Sequence, residues 1–432
     1  MAASARALAL ELLLRTEAAR QYANLSLDAA LSREQGLSAP DRSLVTTLFY
    51  GVIEHRITLD AVIDGLSSIS PSAIERRVRM ILRLALYQLR WCDRIPDHAA
   101  INEAVALTPR RSKGFVNAVL RSFCRRDKAL ILPCRAADPI GYLSVRYSVS
   151  PALAERFCAI FGAARAEAVL EAFSHTPRVT VRVNTKKLSR EEFLARVEGA
   201  QATKHAPFGV HLPENAPLHA LLDQGLCFVQ DEASQICVAA LDPKEGERVL
   251  DLCAAPGSKS FGAALTMGDR GAVHSFDLHA NKISLIERGA ARLGLSSVTA
   301  AAADARNATP ETVGVFDTVL ADVPCSGYGV LAKKPDIRYK SVEEAAGLLP
   351  VQAAILDAAA SCVRVGGTLV YSTCTLLPEE NEEQVRAFLS RHPDFALTPF
   401  TVGGICADGM LTLTPELYGT DGFFIAKLRR NI

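Results

Sequence analysis

The sequence predicts three structural parts in order: an all-α bundle over residues 1–132, a small α+β domain over 133–240 and a doubly wound α/β domain over 241–432. Three observations predict it. Apolar residues recur at 3.6 spacing as far as Arg126; the pattern turns mixed after Pro133; and from Arg248 strands and helices alternate. A chain of 432 residues exceeds what one core organises, which agrees with several domains.

In the first part the helical spacing is carried by Ala7–Leu10, Leu44–Ile53, Val78–Leu89 and Ile101–Leu107. Ser70-Pro71-Ser72 and Arg94–Asp97 supply turns and helix starts, and Pro109–Gly114 is a basic loop opening the last helix. In the second part Pro151–His175 reads as helix, Arg178–Asn184 alternates as a strand, Ser189–Gly199 reads as helix, and Pro207–Leu212 and Gly225–Gln230 are short strands. Asp231 opens a helix that runs to Leu241.

The third part begins with strand Val249–Leu252, helix Ser258–Met267, strand Ala272–Phe276, helix His279–Leu293, strand Ser297–Ala302 and strand Phe316–Ala321. It continues with helix Val342–Val365, strand Thr368–Ser372, helix Glu379–Arg391 and strand Gly422–Leu428. Such alternation implies a parallel sheet with helices on both faces.

Composition narrows the class. Hydrophobic residues make up 49% and charged residues 22%, which suits a folded chain, and no apolar run approaches the ~18 residues of a membrane span. Ala7–Leu14 is interrupted by Glu11 and reads as an amphipathic helix, not a signal peptide. Eleven cysteines with no CxxC pair argue against a disulfide framework and against a metal site, and point to the reducing cytoplasm. The net charge of +1 hides an asymmetry: residues 1–130 hold 19 Lys and Arg against 13 Asp and Glu, most of the excess lying between Arg76 and Lys128. That part can meet phosphate.

Ligands of open α/β sheets sit outside the carboxyl ends of the strands. Four carboxylates stand there, Asp251, Asp277, Asp304 and Asp322. The first is followed by a small-residue turn, Cys253, Ala254, Ala255, Pro256, Gly257, Ser258 and Lys259, which lets backbone approach a ligand but lacks the GxGxxG of a dinucleotide site. Asp277 can accept both hydroxyls of a ribose and Asp304 can accept from an adenine amine, so the set describes a nucleoside pocket.

The motifs Asp251-Leu-Cys-Ala-Ala-Pro-Gly-Ser-Lys259, Asp322-Val-Pro-Cys-Ser-Gly327 and Tyr371-Ser-Thr-Cys-Thr-Leu-Leu-Pro-Glu-Glu-Asn381 resemble the RNA cytosine-C5 methyltransferase family. The resemblance implies a Rossmann-like catalytic domain that binds S-adenosylmethionine through Asp251, Cys253–Lys259, Asp277, Asp304 and Asp322. Gly257-Ser-Lys-Ser260 stands where the family usually has Gly-Gly-Lys-Thr, and the lysine is kept. Arg83–Leu89 and Lys113–Arg121 look like the NusB-type RNA-binding domain of the RsmB (Sun) subfamily, and Gln230–Gln235 and Asp421–Arg429 also match, so the resemblance covers nearly the whole chain. It implies 16S ribosomal RNA, free or in an assembling small subunit, as partner.

The chemistry asks for a thiolate. Cytosine C5 is a poor nucleophile until a group adds at C6, and a cysteine suits that addition. Cys325 and Cys374 both follow strand ends, and spacing leaves open which attacks. The resemblance implies Cys374 as nucleophile and Cys325 as helper in release, with Asp322 holding the base at N3 or its exocyclic amine and Lys259 near the thiolate or base. Lys333, Lys334, Arg338 and Lys340 are placed to hold RNA backbone, with Tyr328 or Tyr339 as stacking partners. Two rival readings are a DNA cytosine methyltransferase attacking through Cys325 and a non-catalytic ribosome-assembly factor.

Overall fold

The computed structural model describes residues 4–19, 27, 30–32, 34 and 36–431. The chain forms two compact units, residues 1–174 with 333–341, and residues 175–332 with 342–432.

The first unit is helical. Its main helices are Ala5–Ala19, Ala39–Glu54, Arg56–Leu66, Arg76–Trp91, Asp97–Leu107 and Lys113–Arg125, followed by Pro139–Tyr147, Pro151–Phe161 and Ala163–Ala172. Starts and stops follow local chemistry: Ser38, Asp138 and Ser150 each accept a backbone N–H of the first turn and are each followed by proline within two residues. The helix expected over Pro151–His175 is two helices, broken at Gly162, whose φ of 76° a residue with a side chain rarely adopts. Leu10, Leu48, Phe49, Ile63, Leu82, Leu86 and Phe123 fill the core.

Arg76–Trp91 carries the start of the predicted basic stretch, and most of those cations face inward or across to other helices. Arg83, 7% exposed, bonds both carboxylate oxygens of Asp60 at 2.8 Å and Glu17 at 3.0 Å. Arg76, Arg77 and Arg79 pair with Glu17, Glu11 and the Asp60–Asp64 couple. The exposed cations left without an ion-pair partner among the described residues include Arg110, Lys113, Arg121, Arg125 and Arg126, so the surface charge lies further along the chain than the composition suggests.

The second unit opens with a four-stranded antiparallel sheet in the order β2-β3-β1-β4, formed by β1 (Thr180–Val183), β2 (Gln201–Ala202), β3 (Gly209–His211) and β4 (Cys227–Val229). A capping box, Ser189 with Glu192, starts the helix Arg190–Arg196 beside it. The main sheet contains β5 (Arg248–Asp251), β6 (Ala272–Asp277), β7 (Val298–Ala302), β8 (Phe316–Asp322), β9 (Val363–Thr373), β10 (Phe395–Leu397), β13 (Met410–Leu413) and β14 (Phe423–Arg430). Its order is β10-β14-β9-β8-β5-β6-β7, with β13 on β14; β11 (Phe400–Val402) and β12 (Ile405–Ala407) form a separate ribbon.

The five strands β5 to β9 run parallel as expected, and β14 joins β9 antiparallel, so the sheet is mixed. Period-two alternation puts Val249, Leu320, Val370 and Ile425 on one face and Leu250, Val319, Leu369 and Phe424 on the other, each with its own buried cluster. The chain starts at β5 and winds outward both ways, which makes the carboxyl ends of β5 and its neighbour β8 the switch point of the sheet. The helix expected over Val342–Val365 is interrupted at Gly347 and ends at Ser361, and β9 already begins at Val363, which pairs with Phe316 of β8 before the register resumes at Thr368.

Candidate active site

Register places the chemistry. β8 pairs with β9 so that Asp322 lies opposite Ser372, and the Ser372 hydroxyl donates to Asp322 Oδ1 at 2.7 Å. Cys325 lies three residues past Asp322 and Cys374 two past Ser372, so the two loops leave adjacent strand ends together. Their sulfurs come within 3.4 Å. Gly329 N donates to Cys374 O at 2.9 Å, and a Cβ on Gly329 would stand 1.9 Å from Gly422 O, so only glycine lets these loops pack.

Lys259 is 9% exposed and is no solvated loop residue: its ammonium donates to Asp322 Oδ2 at 2.7 Å and lies 5.2 Å from the Phe423 ring centre. Burial pulls its pKa down, but Asp322, with Cys237 and Asp251 behind it, outweighs that and holds it above the ordinary lysine value. The lysine is a cation at working pH. Cys237, read only as part of a helix, is buried beside this pair, and burial pushes its thiol up to about 12. Burial likewise raises Cys253. All eleven cysteines are free.

Asp251 ends β5 fully inside the protein. Its Oδ2 accepts from Ser260 Oγ at 2.7 Å, while Oδ1 is buried without a hydrogen-bond partner, and burial pushes its pKa up to about 7. The turn that follows includes a cis Ala255–Pro256 peptide and Gly257 at φ 108°, where a Cβ would meet the Phe261 ring at 2.5 Å. Cys253, Ala254, Ala255, Pro256, Gly257 and Ser258 therefore bring backbone close to the start of the helix Ser258–Thr266. Gln230 Nε2 braces that start by donating to Ser258 O at 3.1 Å.

Asp277 ends β6, 7% exposed, accepting from His279 N at 3.0 Å with Lys282 Nζ at 3.6 Å. Asp304 follows β7 as expected, but its carboxylate is held by Arg306 through the backbone amide and a bidentate guanidinium, which lowers its pKa. Asp251, Asp322, Lys259, Cys325 and Cys374 thus gather at the carboxyl ends of the neighbouring strands β5, β8 and β9, with Asp277 and Asp304 at the ends of β6 and β7.

Several expected RNA contacts are corrected. Arg338 is 1% exposed; its guanidinium donates to the carbonyls of Tyr147 and Phe173 at 2.8 Å and faces Glu54 at 3.5 Å, within the helical unit. Tyr339 lies in the same unit, with its hydroxyl accepting from Arg56 N at 3.1 Å, 2.6 Å from Ile53 O, and its ring face covered by the Arg56 guanidinium at 3.8 Å. Tyr328 is buried and its ring is not offered to a base. Lys333 and Lys334 are exposed.

Residues 238–429 match the family described as 16S rRNA methyltransferase RsmB/F, residues 3–125 the NusB family, and residues 152–219 the RsmF/B-like, ferredoxin-like domain. The chain is 39% identical over 448 residues, covering 99% of each chain, to the "Probable ribosomal RNA small subunit methyltransferase B" of Bacillus subtilis. It is 36% identical over 403 residues, 91% of each, to the ribosomal RNA small subunit methyltransferase B of Cronobacter sakazakii. Among solved structures, PH0851 superposes with a TM-score of 0.77 at 27% identity, over 99% of this chain and 98% of that one. A methyltransferase homolog protein from Pyrococcus horikoshii gives 0.59 at 30% identity, over 67% and 97%.

Proposed function

The chain belongs to the RsmB/F family of 16S rRNA methyltransferases, S-adenosylmethionine-dependent enzymes, and from that premise we propose that it methylates C5 of a cytosine in 16S ribosomal RNA through a covalent Cys374–C6 bond. The observation that carries this reading is the approach of Cys325 and Cys374 to 3.4 Å beside the Lys259–Asp322 pair. The three-part division at 1–132, 133–240 and 241–432 stands as part of this proposal, with the first part meeting RNA, whereas the compact units join 133–174 and 333–341 to the helices.

The residues at the strand ends fit the cofactor. Asp251 holds a buried, unpartnered carboxylate oxygen, and the carboxylates of Asp251, Asp277 and Asp322 suit a cationic sulfonium. Asp251, Cys253, Ala254, Ala255, Pro256, Gly257, Ser258 and Lys259 would hold it with Asp277, Asp304 and Asp322. When bound, S-adenosylmethionine supplies an electrophilic methyl carbon. Asp277→Ala is expected to weaken cofactor binding by about 1–3 kcal/mol, since a carboxylate acceptor is lost, with RNA affinity unchanged; calorimetry giving equal cofactor affinity would remove Asp277 from the site.

The protein's own groups do the rest. The Cys374 thiolate forms the S–C6 bond, and the C5–C6 π pair moves to C5, while the Lys259–Asp322 couple stabilises charge at N3 through a proton of the Lys259 ammonium, which Asp322 orients. Once C5 carries its methyl group, the Cys325 thiol releases its proton to solvent and, as thiolate, takes the C5 proton; the C–H electrons restore the double bond, and the S–C6 bond breaks to return the Cys374 thiolate. The target base must leave its stack to reach the cysteines, which favours single-stranded or loop RNA.

Bisulfite sequencing of ribosomal RNA from cells with and without the gene tests the reading: one cytosine should resist conversion only when the gene is present. Identical patterns would overturn it. Arg110→Glu with Arg125→Glu and Arg126→Glu should lower RNA affinity and flatten its salt slope by about 0.7 per lost phosphate contact, leaving cofactor affinity intact. An unchanged slope would assign these arginines another role.

A further inference from the structure

The helix Leu349–Ser361 turns Gln352, Ile355, Leu356, Ala359 and Ala360 inward, and its apolar members join the cluster that covers Leu250, Val319 and Leu369 of the main sheet. Gln352 is the one polar residue on that face, and it is fully buried. Its Oε1 is buried without a hydrogen-bond partner, so an apolar side chain of the same size would fill the place at lower cost. What the amide supplies instead is a pair of bonds: Nε2 donates to Pro324 O at 3.0 Å and to Glu380 Oε2 at 2.8 Å.

Those bonds reach both sides of Cys325. Pro324 precedes it, and the amide of Ser326, which follows it, donates to the same Glu380 Oε2 at 2.9 Å. The Ser326 hydroxyl meets Thr375 Oγ1 at 2.7 Å. The frame behind the amide is itself braced: Gln384 Nε2 donates to Leu349 O at the start of the helix at 3.0 Å, and the Tyr371 hydroxyl to Glu380 O at 2.6 Å. The loop after Cys374 has its own ties, from Thr373 Oγ1 to Asn381 Oδ1 at 2.5 Å and from Asn381 Nδ2 to Thr375 O at 3.1 Å, and neither includes Gln352.

We propose that Gln352 is a positioning residue for the release half of the reaction: it fixes the backbone on both sides of Cys325 and thereby the place from which that sulfur takes the C5 proton. The inference rests on the reading of Cys325 as the base in release. Proton transfer from carbon requires the acceptor within reach and aligned, and a misplacement of about 1 Å costs roughly 100-fold in rate. Attack by Cys374 and transfer of the methyl group come before that step and do not use the Cys325 sulfur. Loss of the Gln352 amide therefore slackens release and leaves the earlier steps standing.

The test compares wild type with Gln352→Met, which keeps the size of the side chain and removes both bonds, on full-length protein with S-adenosylmethionine and cytosine-containing RNA. In the variant kcat should fall at least ~10-fold, while methylation in a single turnover stays within about twofold and the RNA–protein adduct builds up as a slow band on a denaturing gel. Gln352→Leu gives the same comparison with a second shape, so a folding defect in one variant leaves the test readable in the other. An unchanged kcat, or a single turnover that falls as far as kcat with no adduct, overturns the proposal. Cys325→Ala combined with Gln352→Met should release RNA no more slowly than Cys325→Ala alone, because the glutamine acts only through that sulfur; further slowing would give it a role apart from Cys325 and refute the inference. Cys325→Ala also separates this inference from the reading beneath it. If Cys325→Ala gathers no adduct, the reading of Cys325 fails; if it does and Gln352→Met does not, that reading stands and the positioning role falls.

Discussion

Cys374→Ala is expected to lower methylation of cytosine-containing RNA by about 10⁴-fold or more, because without addition at C6 the C5 carbon has no means of reaching the methyl group at a useful rate. It should form no adduct. Cys325→Ala should stall at a later point: the methyl group has moved, the C5 proton has lost its acceptor, and RNA stays bonded to Cys374 as a slow band on a denaturing gel. The 3.4 Å separation of the sulfurs is the geometry on which this expectation rests. A band in Cys374→Ala and none in Cys325→Ala would reverse the roles and give the DNA-type mechanism, and methylation surviving both substitutions would end the nucleophilic account.

Asp322→Ala should lower kcat by about 10²–10⁴-fold, the usual range for a group that handles a proton in the transition state, with KM for RNA changed far less. The substitution also strips Lys259 and Ser372 of their shared acceptor. A buried ammonium without a partner is costly, so thermal stability should fall by about 1–3 kcal/mol. Asp322→Asn keeps the shape and the acceptor oxygen and should recover most of that stability but little of the rate. If Asp322→Asn restored both, or if only KM rose, the carboxylate would be a binding and structural group without a part in the proton chemistry.

The parts of the site that were legible in the sequence share one property: each is a reactive residue type just past an apolar strand. Asp251, Asp277, Asp304, Asp322, Cys325 and Cys374 all stand at such ends, and strand order then determines which become neighbours. Asp304 and Lys259 were legible in position and not in partner, since Arg306 and Asp322 reach them through side-chain geometry. Glu380 lies in the Pro-Glu-Glu-Asn stretch of the third motif, yet a glutamate in a turn reads as solvated, and Gln352 carries no signal at all. Arg338 and Tyr339 were misread for the same reason: a basic, aromatic loop looks like a nucleic-acid surface until tertiary contacts bury it. The small strands between Phe395 and Leu413 escaped notice because each is three or four residues long, with Gly403, Gly404 and Gly409 between them; β10 and β13 take their pairing from the distant β14, and β11 and β12 pair only with each other.

Residues 333–341 complete the helical unit from a point in the chain more than 150 residues beyond the rest of it. Domains emerging from a ribosome usually fold in the order they are made. Here the first one made lacks a piece of its interior until β5 to β8 of the other have been synthesised: the carbonyls of Tyr147 and Phe173 wait for the Arg338 guanidinium, and the backbone around Glu54 waits for the Tyr339 hydroxyl. In the growing chain the helical unit can therefore reach its final packing only after the Cys325 loop has been made, so its completion is tied to the synthesis of residues that lie far beyond its own helices.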